Sequence, residues 1–197
     1  MTHEQQLRDA HIEGAINQIL ENIGEDKKRE GLLKTPQRIS KMYREIFRGY
    51  DETQKPKVTT FSNDDGENKI DQMIFDRGSF FSMCEHHMLP FWGSYTFAYI
   101  PHKKILGISK VGRTVDYFAA KLQIQERLTQ EIADDLWQTL EPLGIGLELE
   151  ARHLCKEMRG AKKENAPMTT SYVFGKMRDD AGIKNEFLSK VNRGRTR

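Results

Sequence analysis

Hydrophobic positions in the first quarter of the chain recur at helical spacing. The first series contains Leu7, Ile12, Ala15, Ile16, Ile19, Leu20 and Ile23. Gly24 follows where a left-handed helix cap would fall, and Thr35 with Pro36 opens a second apolar series that runs to Phe47. The pattern predicts two amphipathic helices, which form a helical amino-terminal arm over residues 1–50.

A polar stretch at 51–69 separates this arm from a second region, residues 51–197, where strand and helix patterns follow one another irregularly. The predicted elements are a short strand at 58–61, strands at 72–83 and 91–100, a long helix at 109–140, strands at 145–155 and 168–176, and a short closing helix at 185–191. Because regular β–α–β alternation is missing, this order favours an α+β fold with an antiparallel sheet. Oligomer formation is a common way to cover the open edges of such a sheet.

Composition and charge limit the classes of partner. The 197 residues include 31 Lys and Arg against 29 Asp and Glu, a formal net charge of +2. This balance argues against a nucleic-acid-binding or membrane-binding surface but leaves room for a local phosphate pocket. Neither a secretory signal nor an apolar stretch of ~20 residues is visible, which predicts a cytoplasmic protein.

Metal-capable side chains cluster in two short segments. Ser82-Met83-Cys84-Glu85-His86-His87 is the denser of them, and His153-Leu154-Cys155 is the second. The alternation through 145–155 predicts that His153 and Cys155 share the apolar face of a strand. A catalytic zinc site uses three protein ligands and keeps one open position, so two cysteines and one histidine fit it. The alternative is that these residues are buried thiols and core histidines.

Longer motifs resemble a known family. They are REGLLKTPQRISKMY, CEHHMLPFWG, AYIP, LGISK with Arg113 close behind, LQIQERLTQ and EARHLCKEMRG, in this order between about Arg29 and Phe187. The sequence is similar to the GTP cyclohydrolase I family. That resemblance implies a T-fold α+β enzyme, normally a toroidal homodecamer. It also implies a reaction in which GTP and water give 7,8-dihydroneopterin triphosphate and formate, the first step of folate and pterin biosynthesis.

The same resemblance assigns site residues. The implied zinc ligands are Cys84, His87 and Cys155, and the implied catalytic histidines are His86 and His153. The implied guanine contacts are Glu126 with Gln125 beside it. The implied triphosphate contacts are Ser109, Lys110, Arg113 and Arg159, with Arg38 and Lys41 reaching in from a neighbouring subunit.

The chemistry of ring opening agrees with these residue types. Guanine C8 is a poor electrophile, and zinc makes water a strong nucleophile at neutral pH. A histidine that titrates near neutrality can deliver a proton to the departing nitrogen. The carboxylate of Glu126 can accept hydrogens from guanine N1 and N2 together, a pattern that adenine lacks.

Other interpretations compete with this one. Glu126 and Arg127 would also suit a solvated helix face, and Ser109 would suit a helix cap. A nitrile reductase of the T-fold class is a rival enzyme, although it lacks the set of two cysteines and a histidine. A zinc-stabilised binding module or an inactive pterin-binding or nucleotide-binding paralogue is a rival of another class, which would not need His86 and His153 as acids or bases.

Overall fold

A computed structural model of the chain describes the backbone of residues 2–64 and 69–194 and the side chains as far as residue 192. The chain divides into two compact units, Met1–Arg48 and Gly49–Arg197. In the described residues no helix is long and apolar enough to cross a membrane.

The first unit consists of α1 (His3–Asn22), a 3-10 turn (Glu30–Leu32) and α2 (Thr35–Ile46). The Thr2 hydroxyl accepts a hydrogen bond from the Gln5 amide at 3.2 Å and so caps α1. Gly24 has a φ of +88°, the left-handed conformation expected of a residue that ends a helix. Both predicted helices are therefore confirmed.

The second unit is built around an antiparallel sheet. Its strands are β1 (Thr60–Ser62), β2 (Ile74–Cys84), β3 (Pro90–Ile100), β4 (Lys104–Leu106), β5 (Leu122–Gln123), β6 (Gly144–His153) and β7 (Met168–Gly175). Its helices are α3 (Lys110–Ala119), α4 (Gln125–Leu140), α5 (Leu154–Glu157), α6 (Lys176–Asp179) and α7 (Ala181–Gly194), and Glu52–Gln54 forms a 3-10 turn.

Strand pairing puts β3 at the centre of the main sheet. The described order is β5-β2-β3-β6-β7, in which β2, β3, β6 and β7 pair antiparallel and β5 pairs parallel with β2. A separate ribbon joins β1 to β4. The chain is therefore a mixed α+β protein with an antiparallel sheet, as predicted.

Helices α3 and α4 cover one face of this sheet. Their buried side chains pack against inward-facing residues of β2, β3 and β6, and this core includes Val111, Val115, Leu128, Ile132, Leu136, Phe80, Phe91, Phe97, Leu147 and Leu149. Helix α7 packs elsewhere, through Phe187 and Val191 against Ala98 and Met177. Gly146 permits this second contact, because a Cβ there would lie 3.0 Å from the Phe187 ring. Each large apolar side chain buried in these cores contributes about 1.5–3 kcal/mol.

The structure contradicts the predicted bounds of two elements. The helix predicted over 109–140 is interrupted, because Leu122 and Gln123 pair with Met83 and Cys84 of β2 instead of continuing a helix. This pairing brings the amino end of α4 to the end of β2. The strand predicted over 145–155 ends at His153, and Cys155 lies in the helical turn α5 rather than on the strand face.

Candidate active site

A tight turn follows β2 and carries the first cluster of metal-capable residues. The Met88 amide donates to the Cys84 carbonyl at 2.8 Å, and the Cys84 amide donates to the Leu89 carbonyl at 2.9 Å. Met88 closes the turn with a φ of +51°. Cys84 is buried in the core, whereas His86 and His87 are exposed. The turn thus places one thiol inside and two imidazoles at the surface.

The second cluster reaches this turn from the end of β6. One ligand atom from each of Cys84, His87 and Cys155 lies within 4.8 Å of the other two. Burial and the neighbouring Cys84 thiol raise the pKa of Cys155. Two thiols this close suit a divalent cation, which would stabilise both as thiolates. This donor set fits zinc bound by three protein ligands.

His86 is not a member of this group, although it lies close to Cys84. Its side chain is 64% exposed, and its Nδ1 lies 3.8 Å from the Cys84 sulfur. The corresponding Nδ1 of His87 lies 4.0 Å from the same sulfur, and the other ring nitrogen of His87 lies 2.8 Å from Arg159 Nη1. Arg159 therefore lies beside the candidate metal site.

His153 lies at the end of β6, two residues before Cys155, and is half-buried. Its ring stacks on Phe91 with centroids 4.6 Å apart and planes inclined by 2°. Its Nε2 lies 2.8 Å from Gln125 Oε1. Burial lowers the pKa of His153, and the charge of Glu126 opposes this shift. The stacking and the hydrogen bond therefore restrain the His153 ring, two residues before Cys155.

Gln125 is buried, with 1% of its surface exposed. Its amide nitrogen lies 3.0 Å from the carbonyls of Leu149 and Met168. Such a placement does not support the substrate contact predicted for this residue, because both ends of its amide already have protein partners. Helical spacing could have revealed this, since Gln125 lies three and four positions before the buried Leu128 and Thr129.

Glu126, the next residue, is exposed in the first turn of α4. Its carboxylate is close enough to His153 to influence that histidine's pKa. An exposed acid beside the site remains available to a ligand.

A polar network that the sequence analysis missed ties the turn after β2 to α4. Arg127 Nη2 forms an ion pair with Glu85, and Arg127 Nε donates to the Gln123 side chain at 3.0 Å. The Glu85 amide donates to the Gln123 carbonyl, also at 3.0 Å. Neither Glu85 nor Arg127 gives a sequence signal for this contact, because the pairing depends on the short strand β5.

The remaining predicted contacts lie on other elements. Ser109, Lys110 and Arg113 stand together at the amino end of α3, where Ser109 is the N-cap residue but its side chain makes no capping hydrogen bond. Ser109 and Arg113 are exposed, and helix amino termini favour anions. Arg38 and Lys41 are exposed on α2, in the first unit.

Comparisons with known proteins agree with one another. Residues 12–192 match the sequence profile described as GTP cyclohydrolase I. The protein named GTP cyclohydrolase 1 from Leptospira biflexa serovar Patoc is 44% identical over 185 residues, 93% of this chain and 99% of its own. The proteins of that name from Finegoldia magna and Bacillus subtilis are 47% and 43% identical over 176 and 189 residues. These matches cover 89% and 95% of this chain and 94% and 98% of theirs.

Among solved structures, an archaeosine synthase QueF-Like in the apo form is 13% identical. The match covers 52% of this chain and 93% of that one, with a TM-score of 0.45, and is too distant to carry an argument.

Proposed function

The chain belongs to the GTP cyclohydrolase I family, and from this membership we infer that it is a hydrolase acting on GTP. It opens the imidazole ring of guanine and yields 7,8-dihydroneopterin triphosphate and formate. The observation that carries this function on the chain's own residues is the thiol and imidazole cluster beside His153. Ligand atoms of Cys84, His87 and Cys155 lie within 4.8 Å of one another there.

Zinc is the proposed metal, held by Cys84, His87 and Cys155. Two thiolates and an imidazole are ligands that zinc prefers, and three protein ligands are typical of a catalytic zinc. When bound, zinc supplies a water nucleophile that is active at neutral pH.

His86 and His153 move protons in the proposed reaction. His86 is exposed on the turn between the two ligands Cys84 and His87, and His153 is two residues from the third. A proton is needed at the guanine nitrogen that leaves when the ring opens, and a histidine that has first taken a proton from the attacking water can deliver it.

Recognition of the substrate is proposed to rest on charged and polar side chains. Glu126 accepts hydrogens from guanine N1 and N2. Arg159, together with Ser109, Lys110 and Arg113 at the amino end of α3, contacts the triphosphate.

The proposed assembly is a closed T-fold homodecamer, in which Arg38 and Lys41 contact the triphosphate of a neighbouring subunit. Support for assembly comes from the sheet, since β7 and most of β2 have no further strand partner among the described residues. Open edges of this length are commonly covered by another copy of the chain. A cytoplasmic location stays a prediction.

The test is incubation of the zinc-loaded protein with GTP, followed by detection of formate and of pterin fluorescence. Both products should form in equal amounts, and Cys155→Ser should form neither. Binding of GTP without formate would identify an inactive binding paralogue, and pterin formation at an unchanged rate by Cys155→Ser would contradict the zinc assignment.

A further inference from the structure

The hydrogen bonds around Gln125 determine which end of its amide faces His153. Two acceptors without hydrogens, the carbonyls of Leu149 and Met168, each lie 3.0 Å from one end of the amide. Only the NH2 group can satisfy both, and it has two hydrogens. The other end, 2.8 Å from His153 Nε2, is therefore the oxygen.

A pair of threonines is consistent with this orientation. The Thr129 hydroxyl donates to the Gln125 backbone carbonyl at 2.8 Å, so its hydrogen is used. At their separation of 2.6 Å, Thr170 must then donate to Thr129. The lone pairs of Thr170 remain to face the Gln125 NH2 group at 3.1 Å. Every donor in the network has an acceptor, and the Gln125 oxygen stays available only to accept.

An accepting oxygen requires a donor on His153. In the neutral imidazole one nitrogen carries the hydrogen and the other carries a lone pair. Because Nε2 faces the Gln125 oxygen, Nε2 carries the hydrogen and Nδ1 carries the lone pair. Nδ1 has no hydrogen-bond partner among the described residues and is not one of their fully buried, unpartnered polar atoms. This nitrogen therefore reaches solvent.

Stacking on Phe91 also restrains the orientation of the His153 ring. The Phe91 ring lies parallel to the His153 ring at 4.6 Å, and Phe91 itself is fully buried. Stacking restrains the tilt of the imidazole, while the bond from Nε2 restrains its rotation within the plane.

We propose that Gln125 is a positioning residue that holds His153 in the Nε2–H tautomer and leaves Nδ1 as the nitrogen that exchanges a proton with the substrate. The proton arrives at Nδ1 and leaves from Nδ1, while Nε2 keeps its own hydrogen and donates it to the Gln125 oxygen throughout. This assignment deepens the proposed function and rests on it for the identity of the substrate. It differs from a direct guanine contact by Gln125, which would require the buried amide to leave its partners.

The first test measures the tautomer directly. The chain has six histidines, so solid-state 15N NMR of zinc-loaded, histidine-labelled protein gives few signals, and His153→Gln identifies the signal of interest. At a pH where His153 is neutral, we expect Nε2 to be protonated and Nδ1 to be unprotonated. A hydrogen on Nδ1 in the wild-type protein would overturn the proposal, whatever any variant does.

The second test separates positioning from substrate contact. Gln125→Met has similar length but no acceptor, so the Nε2 hydrogen should lose its protection from exchange with water. We expect kcat to fall about tenfold or more, since a positioned acid or base contributes about 10²–10⁴-fold, while the KM for GTP stays within about threefold and zinc content is unchanged. A higher KM with kcat unchanged would instead assign Gln125 to guanine.

Thr170→Val is the matched control. It removes one hydroxyl from the same network but leaves the Gln125 NH2 group two carbonyl acceptors, so tautomer and kcat should be preserved. If both variants lost kcat equally and kept the Nε2 hydrogen, the effect would come from a general loss of packing around Gln125. That result would overturn the proposal. The NMR signal does not depend on turnover. If the wild-type protein did not hydrolyse GTP, the proposed function would be refuted, and the 15N signals of His153 would still decide the tautomer.

Discussion

The adjacent histidines of the turn after β2 have different relations to the thiols. Both imidazoles are exposed, but only His87 belongs to the group whose ligand atoms lie within 4.8 Å of one another. We expect His87→Ala to lose zinc and activity together. His86→Ala should keep zinc and lose most turnover, because a general acid contributes about 10²–10⁴-fold. Metal analysis and GTP consumption measured on both variants test this, and a metal-free His86→Ala would reverse the two roles.

Glu126 provides the test of base selectivity. In Glu126→Gln the shape is kept, but one acceptor oxygen becomes an NH2 group that faces the hydrogens of guanine. The mismatch should weaken GTP binding by about 1–3 kcal/mol, measured by calorimetry on zinc-loaded protein. Glu141→Gln, which changes an exposed carboxylate at the other end of α4, is the control and should bind GTP normally. Unchanged affinity in Glu126→Gln would refute the guanine contact.

The thiol cluster also predicts how zinc affinity depends on pH. Because the pKa of Cys155 is raised, this thiol carries a proton at neutral pH in the metal-free protein. Zinc binds the thiolate and must displace that proton, so affinity should rise with pH, about tenfold per pH unit for each proton released, until the pH passes the thiol pKa. Chelator competition at several pH values measures this slope. An affinity independent of pH would mean that Cys155 does not bind the metal as a thiolate.

At the scale of elements, the close approach of β3 and β6 sets a stability requirement. A Cβ at Gly93 would press on the Glu150 carbonyl oxygen and lie 2.7 Å from the Ala151 Cα, both part of the backbone of β6. Gly93→Ala should therefore destabilise the protein by about 2 kcal/mol or more and lower the midpoint of thermal unfolding. Gly14→Ala is the control, because nothing lies within 4 Å of its added methyl group in α1. It should be neutral or stabilising, by up to about 1 kcal/mol.

Local patterns predicted most elements because each carries its own periodicity. They failed where pairing at a distance decides the outcome. No Gly or Pro stands between α3 and α4, so helical spacing appears continuous, and only the contact of Leu122 and Gln123 with β2 reveals the break. In the same way, alternation continues to Cys155 in the sequence although the strand ends at His153.

The candidate site was also predictable only where local sequence patterns decide the structure. Metal-capable residue types at short spacing predicted a site of two cysteines and one histidine, and the family resemblance then assigned it to Cys84, His87 and Cys155. The environment of Gln125 was not predictable, because its carbonyl partners come from β6 and from β7. A buried amide and an exposed one look alike in a motif, and only the fold distinguishes a residue that contacts a ligand from one that orients a neighbour.

For the whole molecule, the open edges of the sheet predict assembly. Within the described part of the chain, no further strand lies beside the eight-residue strand β7 or beside most of the eleven-residue strand β2 on its outer edge. We expect sedimentation to give the mass of a closed homo-oligomer, with a decamer as the specific expectation. Cys155→Ser should sediment like the wild type, because neither edge depends on the metal. A fully active monomer would contradict the proposed contribution of Arg38 and Lys41 from a neighbouring subunit.

The proposed ligand residues also connect strands that do not pair with each other. Cys84 ends β2 and Cys155 follows β6, and both strands pair with β3 between them. During folding, β3 must reach its register with both neighbours before the three proposed ligand atoms meet, so we expect metal binding to be a late event. Bound metal would then leave the folding rate almost unchanged and slow unfolding instead. Backbone amides at the ends of β2 and β6 would open to exchange together, as one cooperative unit whose lifetime is set by the ion.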